Sequence, residues 1–227
     1  MLARNLTVEE MTEDMSYTNG VTTMHLDVLK EIGNIGAAHA ATSLSALLNK
    51  KVHMNIPSVK VVSINEMMEL AGGPENVVVC VFLRIEGDAP GSMFFVLSLE
   101  QAERFVHRMT FDTNFQIKKP PYSEMGLSAL QELGNILSGS YLSSLSDFTN
   151  MNLYPSVPAI AVEMAGAVIS FGLMEVSQAS DYVIVIDTAL LEVEGEQVMS
   201  VDGQFFLLPD PPSLEIIFNS LGVSMND

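Results

Sequence analysis

"LKEIGNIGAAHA", Leu29 to Ala40, reads as an apolar helix interrupted by a glutamate and an asparagine three residues apart around a glycine. "LQELGNILSGSY", Leu130 to Tyr141, repeats the interruption with Glu132, Gly134 and Asn135. Around the first stretch, apolar and small residues recur with helical period from Met24 to about Leu48; around the second they do so from about 123 to 148. The threonines at 22 and 23 offer a cap, and "NKK" at 49 to 51 closes the end. Two long helices of one design follow.

Downstream of the first helix lie a strand in "VHMNIPSVKVVS", a short helix in "INEMMELAGG", strands in "NVVVCVFLRIEG" and "GSMFFVLSL" around the turn "DAPG", and a helix in "EQAERFVHRMT". After a loop at 111–121 with two consecutive prolines the order recurs. A helix at about 123–148 is followed by a strand near 152–162, a helix near 163–177, strands near 181–194 and 198–208, and a last helix at about 211–221. Residue spacing sharpens this into a duplication, because Asp27 to Ser128, Glu31 to Glu132, Asn34 to Asn135 and Pro57 to Pro158 are each 101 positions. Across the 31 positions from Asp27 to Pro57 the second half matches the first at 10, without a gap. Chance pairing at ordinary residue frequencies gives roughly two.

The expected fold is α/β (α+β), an internally duplicated helix-strand-helix-strand-strand-helix repeat with a single mixed or antiparallel sheet and the two long helices side by side. The expected organisation is a flexible acidic extension at 1–21, a first repeat at 22–110, a linker at 111–121 and a second repeat at 122–222, the repeats forming one compact domain. With 227 residues, 48% of them hydrophobic, the chain can bury a substantial core.

A balance of 28 acidic against 10 basic residues, formally −18, repels nucleic acid and anionic membranes, which are bound mainly through Lys and Arg. The single cysteine, Cys80, lies in the strand-like run "VVVCVFL", so no internal disulfide can form and a reducing cytoplasm fits best. The N-terminus lacks an apolar signal core, and the apolar run at 159–174 is short for a membrane span and contains Glu163; no membrane insertion is expected. The four histidines are scattered without metal-ligand spacing. Glu31 and Glu132 could be imagined as a glycosidase pair, but that chemistry leaves two equivalent asparagines without a role.

On a helix turning about 100° per residue, Asp27, Glu31 and Asn34 share one face, as do Ser128, Glu132 and Asn135. Val28, Leu29, Ile32 and Ile35 point elsewhere, toward a core. Gly33 and Gly134 cost roughly 1 kcal/mol each against alanine, so some surface must approach the backbone there, a neighbouring helix being the simplest candidate. An exposed polar pair, by contrast, has no packing reason to keep its spacing and identity in both halves. An amide is a weak base but a good water orienter, with a carbonyl acceptor and two N–H donors in one plane. A carboxylate can bind a lysine on a partner. Together they suit a hydrolysis in which the partner already carries metal and electrophile and needs only a docked, aimed water.

At these residues the sequence resembles the CheC, CheX and FliY family of chemotaxis phosphatases, whose signature is Asp or Ser, three residues, Glu, two residues, Asn, twenty-two residues, Pro. Both copies satisfy it, through Asp27, Glu31, Asn34 and Pro57 and through Ser128, Glu132, Asn135 and Pro158. The resemblance implies hydrolysis of the aspartyl phosphate of a CheY-type response regulator. It further implies that Glu31 and Glu132 pair with the regulator's active-site lysine while Asn34 and Asn135 position the attacking water. No cofactor of the chain's own is implied, since the Mg2+ comes with the phosphorylated regulator. CheD, the receptor deamidase, is a further implied partner, through the short helix that "EMAGAVISFG" would form. A non-catalytic adaptor for a response regulator or CheD is the alternative.

Overall fold

Thr22 begins the first helix, α1 (Thr23–Leu48), and the imidazole of His25 turns back on it: Nδ1 accepts the Thr22 backbone N–H at 2.8 Å, while Nε2 lies 3.2 Å from the Val223 carbonyl. The buried His25 thus ties the start of α1 to the end of the described chain. In the second half Ser123 accepts from the Gly126 N–H and opens α4 (Glu124–Thr149). Each long helix ends on an asparagine in the left-handed region, Asn49 at φ 51° and Asn150 at φ 53°, a conformation asparagine tolerates better than most residues. These two caps are themselves 101 positions apart.

The computed structural model describes residues 21–110, 115–117, 120–175, 182–194 and 197–223. The expected extension therefore lies outside the described residues except for Val21, which is buried in the core, and so do 111–114 and 118–119 of the expected linker. Phe115 and Ile117 of that linker pack into the core.

Between and after the long helices run β1 (Val52–Asn55), β2 (Val59–Ser63), α2 (Ile64–Leu70), β3 (Val77–Gly87), β4 (Gly91–Ser98) and α3 (Leu99–Thr110), then β5 (Leu153–Pro155), β6 (Ala159–Met164), α5 (Ala165–Glu175), β7 (Tyr182–Glu194), β8 (Gln197–Pro209) and α6 (Ser213–Ser220). The expected order thus appears in both halves with two corrections. Where one strand is expected over 52–63 there are two, parted at Ile56, Pro57 and Ser58; the strand expected near 152–162 is likewise parted before Pro158. A proline has no N–H for the ladder, so the pairing stops and restarts around it. The helix expected from 163 starts at Ala165, because Glu163 and Met164 still pair with Val78 and Val77.

Among the described residues every strand pairing is antiparallel. β4 and β8 meet at the centre, with Phe94 opposite Phe206 and Phe95 opposite Phe205. On one side β7 carries β1 and β2 from the first half; on the other β3 carries β5 and β6 from the second. Each half thus completes the other's sheet. Period-two alternation sends Val79, Val81 and Leu83 to a face covered by α1, α3, α4 and α6, and Val78 and Cys80 to the opposite face under α2 and α5. Burial pushes the Cys80 thiol far above its ordinary pKa.

α1 and α4 lie side by side on the first of these faces. Gly36 permits a close approach between them: a Cβ there would stand 3.0 Å from the Tyr141 Cα and 3.2 Å from the Ser140 carbonyl oxygen. The repeated glycines face inward too, Gly33 toward Tyr141 of α4 as well as Ile56, but Gly134 toward strand β3 where a neighbouring helix is the expected candidate. A Cβ on Gly134 would meet Val81 Cγ1 at 2.5 Å, and one on Gly33 would meet Ile56 and Tyr141 at 3.3 and 3.4 Å.

Candidate functional site

Helical period divides α4 into a buried stripe, including Leu130, Leu133 and Leu137, and an exposed one bearing Ser128, Glu132 and Asn135. Beside the exposed stripe the turn from Pro155 to Pro158 forms a second wall, and together they enclose an open cleft of about 430 Å³. All four motif residues of the second copy, Ser128, Glu132, Asn135 and Pro158, line this cleft. The turn is anchored to the sheet by Ser156, whose hydroxyl accepts the Arg84 backbone N–H at 2.9 Å and whose own N–H donates to the Arg84 carbonyl at 2.8 Å. It is anchored to α4 by Gln131, whose Nε2 donates to the Pro158 carbonyl at 2.8 Å. Val157, at the tip, is 86% exposed. Among the described residues neither Glu132 nor Asn135 has a hydrogen-bonded side chain, so both are available to an incoming molecule.

The first copy keeps the motif and changes its supports. Asp27 and Glu31 are exposed on α1, but Asn34 is half-buried, and its Oδ1 accepts the Ile56 N–H at 3.1 Å. Ile56, equivalent to Val157 under the 101-residue offset, is turned inward and only 4% exposed. Ser58 completes the anchorage: its hydroxyl donates to the Asp187 carboxylate, and its carbonyl accepts the Asp187 N–H at 3.0 Å. Gln204 also donates to Asp187, at 2.9 Å, and Lys60 Nζ lies 3.8 Å away. Partial burial pushes the Asp187 carboxyl upward, but the hydrogen bonds from Ser58 and Gln204 and the Lys60 charge outweigh it and hold the acid below its ordinary pKa. Pro57 is exposed and lines a separate groove of about 510 Å³ beside Asp187 and Gln204. The structure thus gathers all four second-copy residues into one cleft, whereas in the first copy Asn34 is drawn toward the turn and Pro57 faces elsewhere.

Three features of the site escaped the sequence. Gln131 has no matching amide in the first copy, where Lys30 occupies its place. Ser58 and Asp187 are 129 positions apart, and Ser156 and Arg84 are 72 apart. No spacing signal links them. Chemically, an unengaged amide beside a carboxylate at the mouth of a cleft can order water against a docked electrophile and bind a cation beside it. Among the described residues no group of three or more His, Cys, Asp or Glu side chains is placed to hold a metal ion. Nor, among those residues, is any helix long and apolar enough to cross a membrane.

The model of the CheC-like family matches residues 24–61 and 125–162, the two segments that hold the motif copies. The CheY-P phosphatase CheC of Bacillus subtilis is 44% identical over 211 residues, covering 93% of this chain and 100% of that protein. The flagellar motor switch phosphatase FliY of Bacillus subtilis is 30% identical over 137 residues, 60% of this chain and 35% of that protein. Among solved structures, Thermotoga maritima FliY superposes with a TM-score of 0.66 at 20% identity, covering 89% of this chain and 98% of that one. The FliM middle domain of H. pylori gives 0.60 at 15% identity over 88% and 99%. These structures share the fold.

Proposed function

The chain belongs to the CheC-like family, and on that premise we propose that it is a chemotaxis phosphatase that hydrolyses the aspartyl phosphate of a CheY-type response regulator. The observation that carries this reading to particular residues is the exposure of Glu132 and Asn135 together at the mouth of one cleft, on a helix whose other face is buried in the core. In the mechanism we assign, Glu132, and Glu31 in the first copy, bind the ammonium of a lysine beside the regulator's phosphorylated aspartate and so fix the docking angle. Asn135, and Asn34 in the first copy, enter beside the phosphoryl group and hold a water in line with the bond to be broken. The carbonyl accepts one water proton and leaves the oxygen lone pair facing phosphorus. The magnesium ion belongs to the regulator and neutralises phosphoryl charge there. Ser128, Asp27 and Pro158 shape the approach. A hundredfold acceleration asks for only about 2.7 kcal/mol of barrier lowering, within reach of one well-aimed amide and a fixed geometry. A response regulator partner and a single buried thiol go with a cytoplasmic location.

The receptor deamidase CheD is the second partner we propose, at α5. Support for it is an apolar groove of about 300 Å³ beside that helix, lined by Ile160, Val168 and a 56% exposed Phe171. The activity is tested by following loss of phosphoryl label from a magnesium-bound CheY-type receiver domain. Wild-type protein is expected to accelerate it, and Asn34→Ala/Asn135→Ala to leave it at the spontaneous rate with an unchanged circular dichroism spectrum. Spontaneous decay with wild type despite binding contradicts the phosphatase and leaves an adaptor.

A further inference from the structure

The two copies differ in which side chain holds the turn beside the reacting amide. In the first, Lys30 stands before Glu31 and makes no hydrogen bond to the turn; the turn's N–H at Ile56 is taken up by Asn34 itself at 3.1 Å. In the second, an amide stands before Glu132: Gln131 draws the Pro158 carbonyl to the helix at 2.8 Å. The turn then carries Val157 outward to 86% exposure, where its equivalent Ile56 lies inward at 4%, and Asn135 makes no hydrogen bond. Gln131 and Asn135 are i and i+4 on one face of α4, so the two amides rise side by side, one committed to the turn and the other to the cleft.

Resting on the phosphatase reading above, we propose that Gln131 is a positioning residue of the second site: by holding the turn from Pro158 it keeps Asn135 free to receive the attacking water. Gln131 touches neither phosphate nor water. Its loss frees the Pro158 end of the turn while Ser156 stays held by Arg84, and the Val157 N–H, the equivalent of Ile56, then competes for the Asn135 carbonyl as Ile56 does for Asn34. Docking through Glu132 is unaffected, so the effect falls on turnover.

Single-site proteins separate this role from general stabilisation. Gln131→Met, which keeps the side-chain length and removes the donor, is placed in Asn34→Ala, where only the second site works, and in Asn135→Ala, where only the first does. Phosphate release is measured with the receiver kept phosphorylated by a small-molecule phosphodonor. The expected result is a kcat about fivefold lower in the Asn34→Ala protein with KM changed less than twofold, and no change in the Asn135→Ala protein, whose intact rate also shows that the variant folds. Equal kcat with and without Gln131→Met in Asn34→Ala, equal losses in both backgrounds, or an inert Asn34→Ala protein beside an active wild type overturns the proposal while leaving the phosphatase standing. A wild-type protein that releases phosphate at the spontaneous rate overturns the phosphatase reading and this one with it.

Discussion

The turn after β1 and the turn after β5 carry the same proline, 101 positions apart, beside the same Glu and Asn, yet they are held by different chemistry. The first is fastened by a carboxylate, Asp187, and by the very asparagine assigned to the reaction. The second is fastened by Ser156, whose hydroxyl and N–H both bond the Arg84 backbone, and by Gln131. Duplication supplied two copies of one motif, and sequence change around them altered the availability of the reacting group while the Glu, Asn and Pro of the motif stayed the same. A matching signature therefore establishes which side chains are present; their readiness depends on neighbours the signature does not include.

The comparison breaks most readily at the glycines. Gly134→Ala forces a methyl to 2.5 Å from Val81 Cγ1, an overpacking that costs more than the roughly 1 kcal/mol alanine returns in helix propensity. A net destabilisation of about 2 kcal/mol is expected in urea denaturation. Gly33→Ala meets side-chain carbons at 3.3 and 3.4 Å, which can yield, and is expected to stay within about 1 kcal/mol of wild type. Equal costs in the two halves would remove the packing difference between them.

The anchors of the two turns are expected to differ in their response to acid. Asp187 is held below its ordinary pKa in the folded chain, so its contribution is fully present above the unfolded value near 3.9 and is lost as pH falls through the lower folded value. Asp187→Ala should therefore be less stable than wild type by about 1 kcal/mol near neutral pH. That gap should close as the pH is lowered below about 4. A gap that does not depend on pH would assign the loss to packing. The second turn, tied by backbone, hydroxyl and amide groups, has no such acid dependence of its own.

The fold was legible where its cause is local. Helical periodicity, the threonines at 22 and 23 and "NKK" at 49 to 51 exposed the long helices, because each depends on residues within a few turns of one another, and the constant offset of 101 exposed the duplication. The strand breaks at Pro57 and Pro158 were missed although both prolines stand in the motif, since a missing N–H matters only once a ladder is formed. The exchange that pairs β7 with β1 and β2, and β3 with β5 and β6, leaves no local mark, since apolar alternation does not name a strand's partner. Gln131 was invisible for the same reason. Its acceptor is a carbonyl 27 residues away, and any residue with a backbone could have supplied one.

The most direct test of the difference between the copies is the rate at which Asn34→Ala and Asn135→Ala, separately, remove phosphoryl label from a magnesium-bound CheY-type receiver domain. Freeing Asn34 from the Ile56 N–H costs about 1 kcal/mol, so the second site is expected to be about fivefold faster than the first. Asn135→Ala should then remove most of the activity and Asn34→Ala only a small part. Equal losses, or a larger loss with Asn34→Ala, would contradict the claim that the hydrogen bond held by Asn34 sets the two sites apart.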